Sequence, residues 1–256
     1  MPMPGKDSAK EYFRISVAGK SVIVFCRDRT VFRQCRGFLS QFDEPDIVIE
    51  ATDEDIAYER RLTGQEDRGV NGIAVTSSFG YLESLAVHRK IAEGMLAFDT
   101  FLMHGAAVAD GQGAYLFTAK SGTGKTTHVK KWLENVPDAY VVNGDKPLLE
   151  ITAAGAFVHG TPWCGKEKLG CNGKAPLRAV ILQQRGEDNC AEEITFGQAL
   201  PALLQQTYRP DDPEKMKRTL FLLAELGKRV RFYRFTCNNM KPDAFRTAYD
   251  ALHAAP

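Results

Sequence analysis

No stretch of this sequence is apolar for long enough to span a bilayer, and neither sign of charge prevails. Lys plus Arg number 33 and Asp plus Glu 32, for a formal net charge of +1. Such a balance gives no global attraction to nucleic acid or to an anionic membrane, so any affinity for phosphate has to be built locally. The six cysteines, at 26, 35, 164, 171, 190 and 237, contain no C-x-x-C pair. Cys164 and Cys171 lack a His or Cys at zinc-site spacing, which argues against a zinc module. Scattered thiols, and an opening "MPMPGKDSAKEYF" without an apolar core, lead us to expect a reducing, cytoplasmic setting. Repeats and low-complexity tracts are also missing. What is left is an ordinary globular composition over 256 residues, enough for one large domain or two small ones.

The pattern of apolar residues alternates between the two secondary-structure periods. "YFRISVAGKSVIVFC" (12–26) reads as two strands joined at Ala18-Gly19-Lys20. A helix is expected over 31–42, a strand at "DIVIEAT" and a helix at "DEDIAYERRL". The polar, glycine-bearing "TGQEDRGVNG" (63–72) is the best candidate for a loop between lobes. A long helix follows over 78–101, with Leu82, Leu85, Ala86, Ile91 and Leu96 at helical spacing. Two strands bracket a turn at Asp110-Gly111-Gln112-Gly113, and "AYVVN" (139–143) is a short buried strand. Further strands are expected in "EITAAGAFVHG", "LRAVILQQ" and "RVRFYRF", and helices over 197–206, 213–227 and 241–253. The whole is mixed α/β, divided into a small α/β lobe over 1–77 and a larger domain over 78–256.

Within the larger domain, "YLFTAKSGTGKTTH" runs from a strand through a glycine loop into a helix. Glycines let successive backbone N–H groups turn inward around an anion, and the helix start aims its positive end at the same point. Ser121, Gly122, Thr123, Gly124, Lys125, Thr126 and Thr127 are therefore candidate nucleotide-binding residues. Lys125 would reach the terminal phosphates, and the Thr126 hydroxyl would help hold Mg2+. The first glycine of the G-x-x-x-x-G-K-[ST] pattern is replaced by Ala119. A phosphoryl-transfer site also needs a metal-binding acid. Asp145, one helix and one strand after Lys125, is the candidate; "NGDKP" equally makes a turn.

"MHGAAV", "YLFTAKSGTGKTTH" and "VVNGDKPLL", across 103–150, resemble the catalytic core shared by HPr kinase/phosphorylase and ATP-dependent phosphoenolpyruvate carboxykinase. HPr kinase-related proteins show a fainter likeness over the later chain. The resemblance implies a core of the PEP carboxykinase/HPr kinase C-terminal-like P-loop type behind the small N-terminal α/β lobe. It places His104 near the transferred phosphate and makes His104, Lys125 and Asp145 the catalytic set, with Thr126 and Asp145 as metal ligands. Two departures stand out. Gly144 occupies the first position of the family's D-D pair, where the base that accepts the hydroxyl proton is expected. Either that task falls to His104 or Asp145, or the chain transfers phosphate poorly or not at all. The arginine-glycine signature is replaced by "HGTPWCGKEKLGCNGKAPL".

In that stretch Lys166 and Lys168 are candidate substrate contacts or solvated lysines, and Trp163 lines a pocket or plugs the core. Arg209, in "QQTYRPDD", is a candidate charge stabiliser or part of a helix stop. The expected activity is ATP- and Mg2+-dependent transfer of a γ-phosphate to the hydroxyl of a peptide, protein or small metabolite. Nucleic acid and membrane are not expected partners, and self-association into a homo-oligomer stays open. Two rivals remain: a nucleotide-sensing module silenced by Gly144, and a carboxykinase-like lyase.

Overall fold

The computed structural model describes residues 11–70 and 77–254. It divides into two compact units, Met1–Gly94 and Met95–Pro256. In the first, β1 (Glu11–Val17) and β2 (Lys20–Cys26) form an antiparallel hairpin. Its turn has positive φ at both central residues, 50° at Ala18 and 74° at Gly19, matching the twist of the flanking strands. β3 (Ile47–Glu50) lies parallel to β2. Alternate residues (Phe13, Ile15 and Val17; Val22, Val24 and Cys26) are buried, as period two requires.

Helix α1 (Arg29–Cys35) is N-capped by Asp28, which accepts from Thr30 N at 2.7 Å. It gives way to a 3-10 turn over Arg36–Phe38, so the helix expected to reach 42 stops short. Helix α2 (Asp53–Val70) runs through most of the expected inter-lobe loop. Thr52 and Asp55 cap its start reciprocally, and a glycine inside a helix costs only about 1 kcal/mol, too little for Gly64 to end it. Residues 71 and 72 of that stretch lie outside the described residues.

Helix α3 (Phe79–Met95) and a 3-10 turn over Leu96–Phe98 end at Asp99, whose φ of 55° breaks the helical course. The helix expected over 78–101 thus yields its last residues to strand β4 (Thr100–Leu102). Contacts group α3 with the first unit. The buried Glu83 accepts from Arg27 N at 2.9 Å and Asp28 N at 2.8 Å, and Arg89 bonds Asp55 and Glu59.

The second unit continues with β5 (Ala106–Asp110), β6 (Gly113–Thr118), α4 (Lys125–Asn135), β7 (Tyr140–Asn143), β8 (Leu148–Thr152) and β9 (Gly155–His159). Then come β10 (Lys174–Arg185), β11 (Cys190–Ile194), α5 (Phe196–Gln206), α6 (Pro213–Leu226), β12 (Arg231–Cys237) and α7 (Ala244–His253). One sheet has the order β7-β5-β6-β10-β12-β11, and β4-β8-β9 joins it through the first residues of β10. β6, β10 and β12 are mutually parallel, so their carboxyl ends share one edge.

Both faces of this sheet are covered. Tyr115, Phe117, Ile181 and Phe235 pack with Val129 and Trp132 of α4 and Ala248 and Leu252 of α7. Leu116, Val180 and Phe232, pointing the other way, pack with Leu203 of α5 and Leu223 of α6. Burial on both faces explains why β6 and the stretch 179–182 of β10 read as continuous apolar runs. β11, with Glu192 and Glu193 exposed at an edge, carries no such signal. Among the described residues, no helix is long and apolar enough to cross a membrane.

Candidate functional site

Strand β6 ends at Thr118 and α4 begins at Lys125, so the intervening glycine loop lies at the carboxyl edge of the parallel strands. That edge is where open α/β sheets bind ligands. Gly122 and Gly124 adopt φ of 77° and 107°, conformations that L side chains rarely take. Gly124 is the N-cap of α4 and offers no side-chain cap, which leaves the first amides of the helix without a side-chain partner. Thr123 bonds back to Lys120 O through both its amide (3.3 Å) and its hydroxyl (2.8 Å), which closes the turn.

Lys125 is buried, and its ammonium donates to Ala119 O at 2.8 Å and Lys120 O at 3.4 Å. Ala119, in place of the pattern's first glycine, therefore supplies a carbonyl to the lysine. Burial pushes the Lys125 pKa down; the nearby Asp145 charge opposes this and Lys146 reinforces it. The Asp145 carboxyl feels the reverse. Its burial would raise it, but the His104 hydrogen bond and the charges of Lys146, His104 and Lys125 outweigh that and hold it below the usual carboxylate range. Lys125 and Asp145 thus act on each other across shared surroundings.

His104 stands between β4 and β5, with Nε2 at 3.3 Å from Asp145 Oδ1. Its Nδ1 lies 2.8 Å from Gln206 Oε1, and its amide donates to Gln206 O at 2.7 Å. Backbone anchors complete the clamp: Thr118 Oγ1 donates to His104 O at 2.7 Å, and Gly105 N donates to Asp145 O at 2.9 Å. The imidazole is held from both sides and faces the carboxylate.

Asp145 is aimed by Asn143, the last residue of β7. Asn143 Oδ1 accepts from the amides of Asp145 (2.9 Å) and Lys146 (2.7 Å), an Asx turn. Its Nδ2 donates to Thr161 O and Thr161 Oγ1, at 3.1 and 3.0 Å. The loop that follows β9 folds over this turn, with Gly144 N donating to Leu169 O at 2.8 Å. A Cβ at Gly144 would lie 2.8 Å from Cys164 O and 3.1 Å from Leu169 O, both backbone atoms. The position cannot take a carboxylate side chain unless this loop moves.

The remaining candidates lie on the loop after β9, just beyond α5, and on the glycine loop and first turn of α4. Trp163 is buried, whereas Lys166, Lys168 and Arg209 are exposed and have no carboxylate partner among the described residues. Lys168 adopts a φ of 52°, in the left-handed region, and its charge reaches Cys164, whose thiol also feels Asp145. Arg209 follows Gln206 by three residues, and Tyr208 N donates to Leu102 O at 2.9 Å, which keeps this segment beside β4. Ser121 and Thr127 are exposed, and the half-buried Thr126 makes no hydrogen bond through its hydroxyl among the described residues.

Sequence reasoning missed Asn143 and Gln206. Asn-Gly-Asp is an Asx-turn signal and could have flagged the first; the second lies 102 positions from its histidine and carries no local signal. Among the described residues, no group of three or more His, Cys, Asp or Glu side chains could hold a metal ion on its own.

No protein-family profile matches the chain. No curated protein matches it either. Among solved structures, the Hpr(Ser) kinase/phosphatase from Coxiella burnetii is similar over 60% of this chain and 99% of that one, at 10% identity and a TM-score of 0.30.

Proposed function

We propose that the second unit is an ATP- and Mg2+-dependent phosphotransferase that passes a γ-phosphate to a hydroxyl. The observation that carries this reading is the mutual influence of Lys125 and Asp145 beside a loop whose glycines turn at positive φ. The amides of residues 121–127 other than Thr123, together with the α4 dipole, cradle the polyphosphate. Lys125 exchanges the carbonyls of Ala119 and Lys120 for phosphate oxygens and neutralises charge on the transferring group.

Magnesium fits the residues present: Thr126 has a hydroxyl to spare and Asp145 is held ionised, and this cation is usually bound through one or two protein groups plus phosphates and water. Thr126 and Asp145 would hold it, and it would supply charge neutralisation on the phosphates.

His104 takes the acceptor proton. While the ring is neutral, Nδ1–H donates to Gln206 Oε1 and Nε2 carries the lone pair that takes the proton. Once protonated there, Nε2–H donates to Asp145 Oδ1, and against the effect of burial that hydrogen bond and charge help lower the Asp145 carboxyl. This division of labour replaces the missing acid at Gly144. Trp163, Lys166, Lys168 and Arg209 are the side chains we assign to the acceptor, a serine-bearing peptide or protein or a small hydroxylated metabolite.

A second reading, a nucleotide sensor without transfer, is favoured by the packed Gly144 alone. Thermal melting with Mg-ATP, combined with an assay for ADP formation over an acceptor panel, separates the two. Stabilisation with ADP formation supports the kinase; stabilisation with none supports the sensor; neither effect removes both.

A further inference from the structure

Strand β10 lies parallel to β6 and ends at Arg185, so this side chain emerges at the same edge as the glycine loop. Its Nη2 donates to the carbonyl of Gly122 at 2.5 Å. Several arginines of this unit are neutralised by acids: Arg218 by Asp99, Arg229 by Glu225, Arg234 by Glu192 and Arg246 by Asp250. Arg185, like Arg178 and Arg231, bonds a backbone carbonyl instead, and of these three it is the one that meets the glycine loop. It is exposed and has no carboxylate partner among the described residues, and the neighbouring Asp188 is taken by Lys241.

A guanidinium carries five donors in a planar fork suited to phosphate oxygens. Among the described residues, one hydrogen bond, to the carbonyl of Gly122 in the glycine loop, occupies it. Lys125 is held in the same way, on carbonyls of residues 119 and 120. Two cations thus rest on backbone oxygens of one amide-lined loop, neither of them in contact with a carboxylate.

We infer that Arg185 is a second phosphate-binding cation of this loop, gripping the nucleotide's phosphates from the β10 side. The assignment rests on the phosphotransferase reading of the loop. It adds a residue outside the glycine motif, supplied by the neighbouring strand.

The test uses the full chain with Arg185→Gln and Arg185→Lys. Calorimetry would measure binding of Mg-ATP and of inorganic tripolyphosphate, and melting without ligand would monitor the fold. Charge-assisted hydrogen bonds of this kind make a loss of about tenfold or more the expected result for both ligands in Arg185→Gln. Arg185→Lys should recover part of it, with unliganded melting unchanged in both. Wild-type affinity for both ligands in Arg185→Gln would reduce Arg185 to a latch on Gly122 and overturn the assignment. Weakening for ATP alone would move the contact to the nucleoside and overturn it too. Failure of the wild-type chain to bind either ligand would remove the underlying reading instead.

Discussion

Arg89 in the first unit and Lys125 in the second are cations withdrawn from solvent, and the chain surrounds them in opposite ways. Arg89 bonds Asp55 and Glu59, each at 2.7 Å, lies 3.6 Å from Glu93, and stacks over the Tyr58 ring. Burial alone would lower its pKa, but Glu59 and Asp55 outweigh burial and raise it. Among the described residues Lys125 bonds only carbonyl oxygens, and its burial lowers its pKa. A matched cation fixes structure and has no charge left to give. An unmatched one is a cost to folding that a bound anion would relieve.

The contrast breaks most directly under substitution. Lys125→Ala is expected to lower phosphoryl transfer by about a hundredfold to a thousandfold, the usual loss on removing a preorganised charge stabiliser. Its unliganded melting temperature should hold or rise, since a poorly matched buried charge is gone; steady-state kinetics and calorimetric melting check both halves. Arg89→Met should do the reverse. Leaving Glu59 and Glu93 without their cation, and Asp55 with Lys90 alone, is expected to destabilise the first unit by about 3 kcal/mol, read from denaturant unfolding. Melting of Arg89→Met at the wild-type temperature would show that the cluster is not structural.

Gly144→Ala is expected to cost about 1–3 kcal/mol, because even a methyl group meets backbone oxygens there. Gly144→Asp should be at least as destabilised and no faster. A gain in turnover from Gly144→Asp would mean that the loop over this position yields, and that a carboxylate base was merely lost.

The smallest effect is on acid stability. Burial would raise the Asp55 carboxyl, but hydrogen bonds from Lys90, Thr52 and Arg89 outweigh it and hold it well below its ordinary value. Asp145 is lowered as well. A carboxyl whose folded pKa is depressed stabilises the fold fully above its unfolded pKa, about 4, and loses that contribution as pH falls toward the folded value. Melting should therefore decline on acidification below about pH 4, and Asp55→Asn should flatten that decline more than Asp145→Asn. Equal slopes in the two variants would erase the difference between the clusters.

Much of this was legible in the sequence because it is local. The hairpin at Ala18-Gly19, the β5–β6 turn, the glycine loop and the short β7 strand each announce themselves within a few residues. The expected boundary at 77/78 precedes α3, whereas contacts group that helix with the first unit through Glu83 and Arg89, whose partners lie 30 to 56 positions away. Three-residue β4 was hidden in a helical pattern, since only the αL turn at Asp99 separates them. Gln206 reaches His104 from the end of α5, and Arg185 reaches Gly122 through strand order, neither of which single-residue periodicity encodes. The chemical meaning of Gly144 was equally out of reach, because the obstructing oxygens come from residues 164 and 169.

The most direct test of the central claim is binding of Mg-ATP to the purified full chain and to its Lys125→Ala variant, measured by calorimetry under the same salt conditions. Saturable one-to-one binding by the wild-type chain, weakened at least about tenfold in the variant, is the predicted result. Equal affinity in the two proteins, or no binding in either, would contradict the account.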